Sequence, residues 1–189
     1  MPGPLIAVLD ANVLYPAPLR DFLLWAAKSR FFLPIWSDEI QEEWARNLLA
    51  NRPDLTPTNI TYTQSTMNAA FPAARIMGYE HHIPLLTNQL KDRHVLAAAI
   101  QAQAYCIVTL NLKDFQPADL APHGIQAIHP DIFALSLYQS DPQGIIEMIR
   151  RHRASLQRPP KTAQEYLDAL QQNQLTRTVA ILQPHHDEL

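Results

Sequence analysis

The chain has 189 residues, 47% of them hydrophobic and 17% charged, with a formal net charge of −3. That length suits one domain with a real core, or a domain plus a small appendage, and the apolar content excludes a disordered chain. The mildly acidic balance argues against a general nucleic-acid binder, which is usually basic, and leaves room for an enzyme that meets RNA locally.

Leu5 to Leu9 form an apolar run of the kind found in strands buried on both faces, and Asp10 stands directly at its end. A carboxylate at the rim of such a strand loses hydration and needs something to meet. "ANVLYPAP" reads as a loop, Leu19–Arg30 as a helix with Phe22, Leu23 and Ala26 on one face, and Phe31–Trp36 as a second short strand. Ser37 is a fitting N-cap for a helix running to about Ala50, with Asp38 and Glu39 in the first turn where the helix dipole favours them. "NRPDLTPTN" is a loop, a weaker helix is predicted over Ile60–Gly78, and "HHIPLL" is either a strand or an irregular approach. The alanine-rich stretch Lys91–Gln103 has no breaker and predicts a strong helix.

"AYCIVTL" is the best strand in the chain, and its Cys106, the single cysteine, is expected to be a buried, inert thiol in a reducing compartment. A loop, "NLKDFQPADLAPHG", leads to a short edge strand, "IQAIHP", and a helix over Asp131–Tyr138. Strands alternating with helices predict an α/β domain over residues 1–139, a central parallel sheet flanked by helices. Residues 140–189 read differently. Two helical stretches separated by Pro159-Pro160 make a small all-helical C-terminal appendage. The N-terminus lacks a basic segment, no apolar stretch approaches a membrane span, and a cytoplasmic location is expected. The terminal "HDEL" matches an endoplasmic-reticulum address, but without an entry signal it is never read, and we take it as chance.

Open parallel sheets bind ligands at the carboxyl ends of their strands. Asp10 ends the first strand, and Asn111 and Asp114 follow the strand that ends near Leu110, at the same edge. In the helix after Ser37, Ile40, Trp44 and Leu48 make an apolar stripe; Glu43 is the acid nearest it, Asn47 is closer still, and Glu39 and Glu42 point further into solvent. Asp92 shares a face with Val95, Leu96 and Ala99, where a plain N-cap role competes with a functional one. Carboxylates brought together repel and raise one another's pKa unless a cation neutralises them. The hard cation suited to them is Mg²⁺ or Mn²⁺, and such a site does phosphoryl chemistry.

The segments "VLDANVLYPAPLRDFLL", "SDEIQEEWARNL", "KDRHVLAAAI" and "IVTLNLKDF", in this order, resemble the PIN-domain family of metal-dependent ribonucleases, above all its VapC-like toxin branch, over about residues 5–135. The tail is similar to the helical C-terminal extension of one VapC-like subfamily. The resemblance implies a Mg²⁺-dependent endoribonuclease acting on RNA, with structured tRNA a reasonable substrate, and the toxin role in a type II toxin–antitoxin pair. It implies a cognate antitoxin partner and a homodimer. Carried over by motif, Asp10, Glu43 and Asp92 are the first three acids and metal ligands. Many members place the fourth acid two residues after the threonine of "VT", here Asn111 after Thr109; others have asparagine there and an aspartate three further on, as Asp114 is here. Whether one metal or two are held stays open at this point. Asn12 matches a small polar position that would fix Asp10 or a metal-bound water.

Lys91, Arg93 and Lys113 flank the proposed acids and are candidate RNA contacts. Arg150, Arg151 and Arg153, with Arg158 and Lys161, form a basic run that is either a solvated face or an arm gripping phosphates. The tryptophans Trp25, Trp36 and Trp44 read as core. The eight histidines are scattered, and the adjacent pairs His81-His82 and His185-His186 read as surface. Two other functions compete with the nuclease. A haloacid-dehalogenase-like phosphohydrolase also starts with an aspartate at a strand end, but needs a second aspartate where Asn12 stands. A non-catalytic PIN-like module that binds RNA or protein is kept alive by Asn111, and the intact Asp10, Glu43 and Asp92 count against it.

Overall fold

The computed structural model describes residues 4–189. In chain order it places β1 (Ile6–Leu9), α1 (Ala11–Leu14), α2 (Ala17–Lys28), β2 (Leu33–Ile35), α3 (Asp38–Asn51), α4 (Pro57–Ala70), α5 (Arg93–Gln101), β3 (Cys106–Val108), α6 (Pro117–Leu120), β4 (Gln126–Ile128), α7 (Pro130–Ser140), α8 (Pro142–Ser155), α9 (Ala163–Gln172) and α10 (Thr176–Leu182). The strands form one parallel sheet in the order β2-β1-β3-β4. The expected α/β class, a parallel sheet flanked by helices with further helices at the C-terminus, is therefore what the chain adopts.

Contacts group the chain into two compact units. The first runs up to Tyr15 and from Phe32 to Ile128; the second joins Pro16–Phe31 to His129–Leu189. In the first unit β1 is central, and Ala7, Val8 and Leu9 have no exposed surface. Its register sets Val8 opposite Ile35 on one side and Ile107 on the other. β-Branched side chains on a doubly covered strand explain why this run reads as unbroken hydrophobic sequence. Helix α5 packs on β1 and β3, and its Val95–Ala99 segment is fully buried. Three consecutive alanines let that helix approach the sheet closely. Cys106 is fully buried, and burial pushes its thiol up to about 12, so it is inert as expected. Trp36 and Trp44 are core residues.

Local chemistry moves several boundaries. "ANVLYPAP" is not all loop: Asp10 accepts the Ala11 N–H at 2.7 Å and caps the single turn of α1. The weaker helix starts earlier and ends sooner, because Thr56 and Asn59 form a capping box and the chain leaves the helix at Phe71, before Pro72. "HHIPLL" falls in a 3₁₀ segment, Glu80–Leu85. The strong helix begins two residues late, after a 3₁₀ turn at Leu90–Asp92, and ends two early. Its end is a Schellman motif in which Ala104 N–H reaches Ala99 O at 2.9 Å and Gln103 N–H reaches Ile100 O at 3.0 Å. Gln103 takes φ 50°, the left-handed region. Arg30 and Gln174 close α2 and α9 in the same way, each at φ 67°. A chain with only 4 glycines has put ordinary residues where glycine costs least.

In the second unit α2 packs against α8 and α9. Trp25 stacks on His152 at 5.1 Å between centroids, and the Tyr166 hydroxyl lies 2.8 Å from His152 Nδ1. Asp131 caps α10 from a distance: its carboxylate accepts the Arg177 and Thr178 N–H groups at 2.9 Å each and the Thr178 hydroxyl at 2.8 Å. His152 is 3% exposed, and burial holds its imidazole down to about 4. Protonating it opposes folding, so its contribution is intact above the ordinary pKa of 6.5 and is lost as pH falls toward 4.

Two outcomes are expected. Gln103→Gly should stabilise the chain by about 0.5–1 kcal/mol by removing left-handed strain at an exposed site, read as a rise in the urea midpoint. A lower midpoint would contradict that assignment of strain. The ring-proton NMR signal of His152 should stay in its neutral form from pH 8 down to about 5; a titration centred near 6.5 would show the ring to be solvated.

Candidate active site

At the carboxyl end of β1, Asp10 is 6% exposed. Its Oδ2 accepts from the Thr109 hydroxyl and from Asn12 Nδ2, both at 2.7 Å, while Oδ1 takes the Ala11 N–H. Asn12 is used at both ends, since its Oδ1 accepts the Leu110 N–H at 2.9 Å and its amide also reaches the Thr109 hydroxyl at 2.9 Å. β1 and β3 are thus tied together beyond their ladder, and the Asp10 carboxylate has one orientation. The Asn12 amide spends its donors on that fixing, which leaves nothing there for the acid–base work a dehalogenase-like reading requires. Burial is the main force on Asp10. With the fields of Glu43 and Asp92 it outweighs the hydrogen bonds from Thr109 and Ala11 and pushes the carboxyl up to about 6.

Asp10 and Asn12 line an open cavity of about 890 Å³ together with Glu43 and Asp92, and Asn111 and Lys91 face it as well. Helix α3 brings Glu43. Ser37 caps that helix by accepting the Ile40 N–H at 3.2 Å, and Trp44, bonded to Gln41 at 2.8 Å, buries the opposite side. Glu39 and Glu42 are exposed, as expected, but they also line the cavity mouth. Asn47 is exposed there too.

Asp92 stands at the N-cap position of α5, yet its side chain makes no capping hydrogen bond. Its Oδ2 has no accessible surface and no hydrogen-bond partner; Lys91 Nζ is 3.6 Å away. Burial, with Asp114 and Glu43 nearby, raises its pKa against the pull of Lys91 and His94. The side chain therefore does not act as the cap of α5.

His94 went unnoticed in the sequence. It is 5% exposed, lines the cavity, and sets Nε2 3.5 Å from Glu43 and Nδ1 3.7 Å from Glu39, with Nε2 short of a hydrogen bond. Burial works against its charge, but Glu43, Glu39 and Asp10 prevail and its pKa is raised; His94 in turn holds Glu43 below the usual carboxylate range. A histidine inside a helix of buried alanines was the signal, since a polar ring on a fully packed helix must meet polar partners. Tyr79 and Arg46, also unpredicted, complete the lining; the Tyr79 hydroxyl is 3.4 Å from Glu39.

Asp114 lies outside the lining. It is 4% exposed, and its carboxylate accepts from Lys91 Nζ at 2.8 Å, Gln89 Nε2 at 3.2 Å and Asn111 Nδ2. Lys91 holds its carboxyl below the ordinary range. Arg93 donates to the Asn88 carbonyl at 3.0 Å, and Lys113 is exposed. In the second unit Arg150 and Arg151 pair with Glu147, and Arg153 donates to the backbone carbonyls of Leu189 and Lys161.

The donor chemistry around Asp10 suits a hard divalent cation: carboxylate oxygens from three segments, one of them buried with no hydrogen-bond partner. Among the described residues no three His, Cys, Asp or Glu side chains form a group that holds a metal as they stand.

Comparison with known proteins agrees with this geometry. The PIN-domain model matches residues 7–113, more than half of the chain, and the model of the VapC50 C-terminal domain matches residues 130–184. A protein of Mycobacterium tuberculosis named "Putative ribonuclease VapC50" is 43% identical over 97 residues, which is 49% of this chain and 55% of that protein. The similarity thus spans about half the length of the curated relative. No solved structure matches the chain. With the strand-end aspartate and the parallel sheet already in place, the PIN-domain match shows that the chain belongs to the PIN-domain family.

Proposed function

We propose that this chain is a divalent-metal-dependent endoribonuclease and the toxin of a type II toxin–antitoxin pair, acting in the cytoplasm. The observation that carries the reading is the buried, unbonded Oδ2 of Asp92 beside an Asp10 carboxylate that the chain holds in one orientation. Asp10, Glu43 and Asp92 would hold Mg²⁺ or Mn²⁺, with Asn111 at the same edge. When bound, such an ion supplies charge for the scissile phosphate and acidifies water. The chain's own part is positioning. Thr109 and Asn12 aim Asp10, His94 steadies Glu43, and Lys91 and Arg46 offer cations to phosphate oxygens at the cavity wall.

RNA is the substrate class, with structured tRNA the first to try. The printed name of the mycobacterial relative, a ribonuclease, supports that class. A cognate antitoxin and a homodimer are the partners proposed. The same reading assigns nuclease chemistry to residues 1–139 and keeps 140–189 as an extension with a separate role. Among the described residues no helix is long and apolar enough to cross a membrane.

Asp92→Asn keeps the shape and removes one charge. RNA cleavage in Mg²⁺ should fall by about 100-fold or more, because charge and positioning at the phosphate are lost together. Folding should survive, and adding Mn²⁺ should raise the melting temperature of the wild type but barely move the variant. A variant that cleaves like wild type and keeps the same Mn²⁺ shift would falsify the assignment of Asp92. Expression of the intact chain alone should also arrest bacterial growth, and expression of Asp92→Asn should not. Normal growth at matched soluble levels of wild type would remove the toxin role.

A further inference from the structure

We propose that Lys91 is a tethered cation filling the place of a second divalent ion, so that the site takes one metal ion per chain. This rests on the metal-dependent reading above and decides between the one-ion and two-ion forms that the sequence left open.

The ammonium of Lys91 sits 2.8 Å from Asp114 Oδ2 and 3.6 Å from Asp92 Oδ2. It therefore lies between a carboxylate that follows β3 and one that opens α5. A second divalent ion shared between the third and fourth acids would need that same position. Asp114 cannot readily change partners. At 4% exposure it already accepts from an ammonium and two side-chain amides, Gln89 and Asn111. A carboxylate has about four acceptor positions, so three donors nearly saturate it. A metal ion would have to expel the ammonium and strip the amides from a buried group.

The neighbouring position tells the same way. Asn111, which follows the threonine of "VT", brings no charge and donates its amide to Asp114. A second ion at this end of the site would have Asp114 as its one unshared carboxylate, already neutralised by Lys91. The other end differs. Asp10, Glu43 and Asp92 line the cavity with the more exposed Glu39, Glu42 and Asp38, the last paired with Arg75, and two atoms there have no hydrogen-bond partner: Asp92 Oδ2 and Nε2 of the 5%-exposed His94. The unbonded carboxylate oxygen is on Asp92, away from the saturated Asp114, and one divalent ion is seated there.

A role in folding alone does not account for Lys91. Its side chain is 63% exposed, and a lysine that far into water adds little to stability through one ion pair. What its length and position provide is a fixed positive charge at the cavity wall, beside the carboxylate that has an oxygen to spare. In a reaction that builds charge on phosphate, that ammonium can meet an oxygen from the side opposite the metal.

The test counts ions. Mn²⁺ is titrated into the metal-free full chain, with free Mn²⁺ followed by electron paramagnetic resonance and bound Mn²⁺ by calorimetry. Wild type should bind one Mn²⁺ per chain. Lys91→Met should bind two, and Lys91→Met with Asp114→Asn should return to one, because the second ion then depends on Asp114. Lys91→Gln serves as a second opening of the same position, and circular dichroism checks that each variant is folded before counting. Two ions in wild type would overturn the inference and leave the metal-dependent reading intact. One ion with unchanged affinity in both Lys91 variants would also overturn it. No Mn²⁺ binding by any of the proteins would overturn both readings.

Discussion

A carboxylate held almost out of water at the end of the central strand is the constraint on which the rest of the first unit depends. Asp10 cannot be moved outward, because its own backbone N–H is bonded to Val108 O at 3.1 Å and its side chain is pinned by Thr109 and Asn12. It cannot be comfortably charged there either, since burial and neighbouring acids push its pKa to about 6. Near neutral pH the group is ionised at a cost of up to about 3 kcal/mol in the metal-free protein, taking 1.36 kcal/mol for each unit of pKa. The sign follows from a pKa raised above 3.8: the strain is absent at low pH and grows as pH climbs through about 6. A buried acid kept under that strain, with hydrogen bonds spent on orienting it, would be relieved by the cation proposed for this site.

The backbone makes the convergence inexpensive. Pairing Leu9 with Val108 puts Asp10 alongside Thr109, so two strand ends supply the pin and the pinned group without any long loop. Helix α5 packs on β1 and β3 with Val95, Leu96 and Ala97 to Ala99 all fully buried, and that packing brings its N-terminal end to the same cavity. Asp92 precedes its first turn and His94 lies within it, so one close-packed helix delivers a carboxylate and the imidazole that steadies Glu43. Glu43 arrives on α3, whose position is set by the fully buried Trp44 and Ile40.

Much of this was legible because buried parallel strands advertise themselves. Ile6–Leu9 and Cys106–Val108 are unbroken apolar runs, and the residues just beyond them fall at a ligand edge by topology alone. Asp10, Glu43 and Asp92 could be found by asking which acids sit at strand ends or on apolar faces. The failures share another cause. His94 hides in a helix buried all round, where no amphipathic face marks which side is functional. Asp114 has the right spacing, but its partners Gln89 and Lys91 come from a 3₁₀ approach whose geometry no periodicity predicts. The one-turn α1 escaped notice because it exists through a cap from Asp10 rather than through helix propensity.

The charge of the chain as a whole poses a last question, which the local geometry answers. A formal charge of −3 and a cavity lined with acids should repel a polyanion. The basic run of the second unit keeps a net positive charge, because Glu147 is one carboxylate against Arg150 and Arg151 and backbone carbonyls leave Arg153 charged. At the acids themselves Lys91 and Arg46 line the same cavity as six carboxylates, and on the proposed reading a divalent ion would cancel two of those negative charges. On that reading, attraction for phosphate at this site is made locally, by the bound ion together with Lys91 and Arg46. Screening confines such fields to about 10 Å in ordinary salt, so binding by this route selects a phosphodiester already seated in the cavity over RNA at a distance. On the proposed reading, a nuclease built this way would stay indifferent to bulk nucleic acid and grip its substrate where the bond is cut.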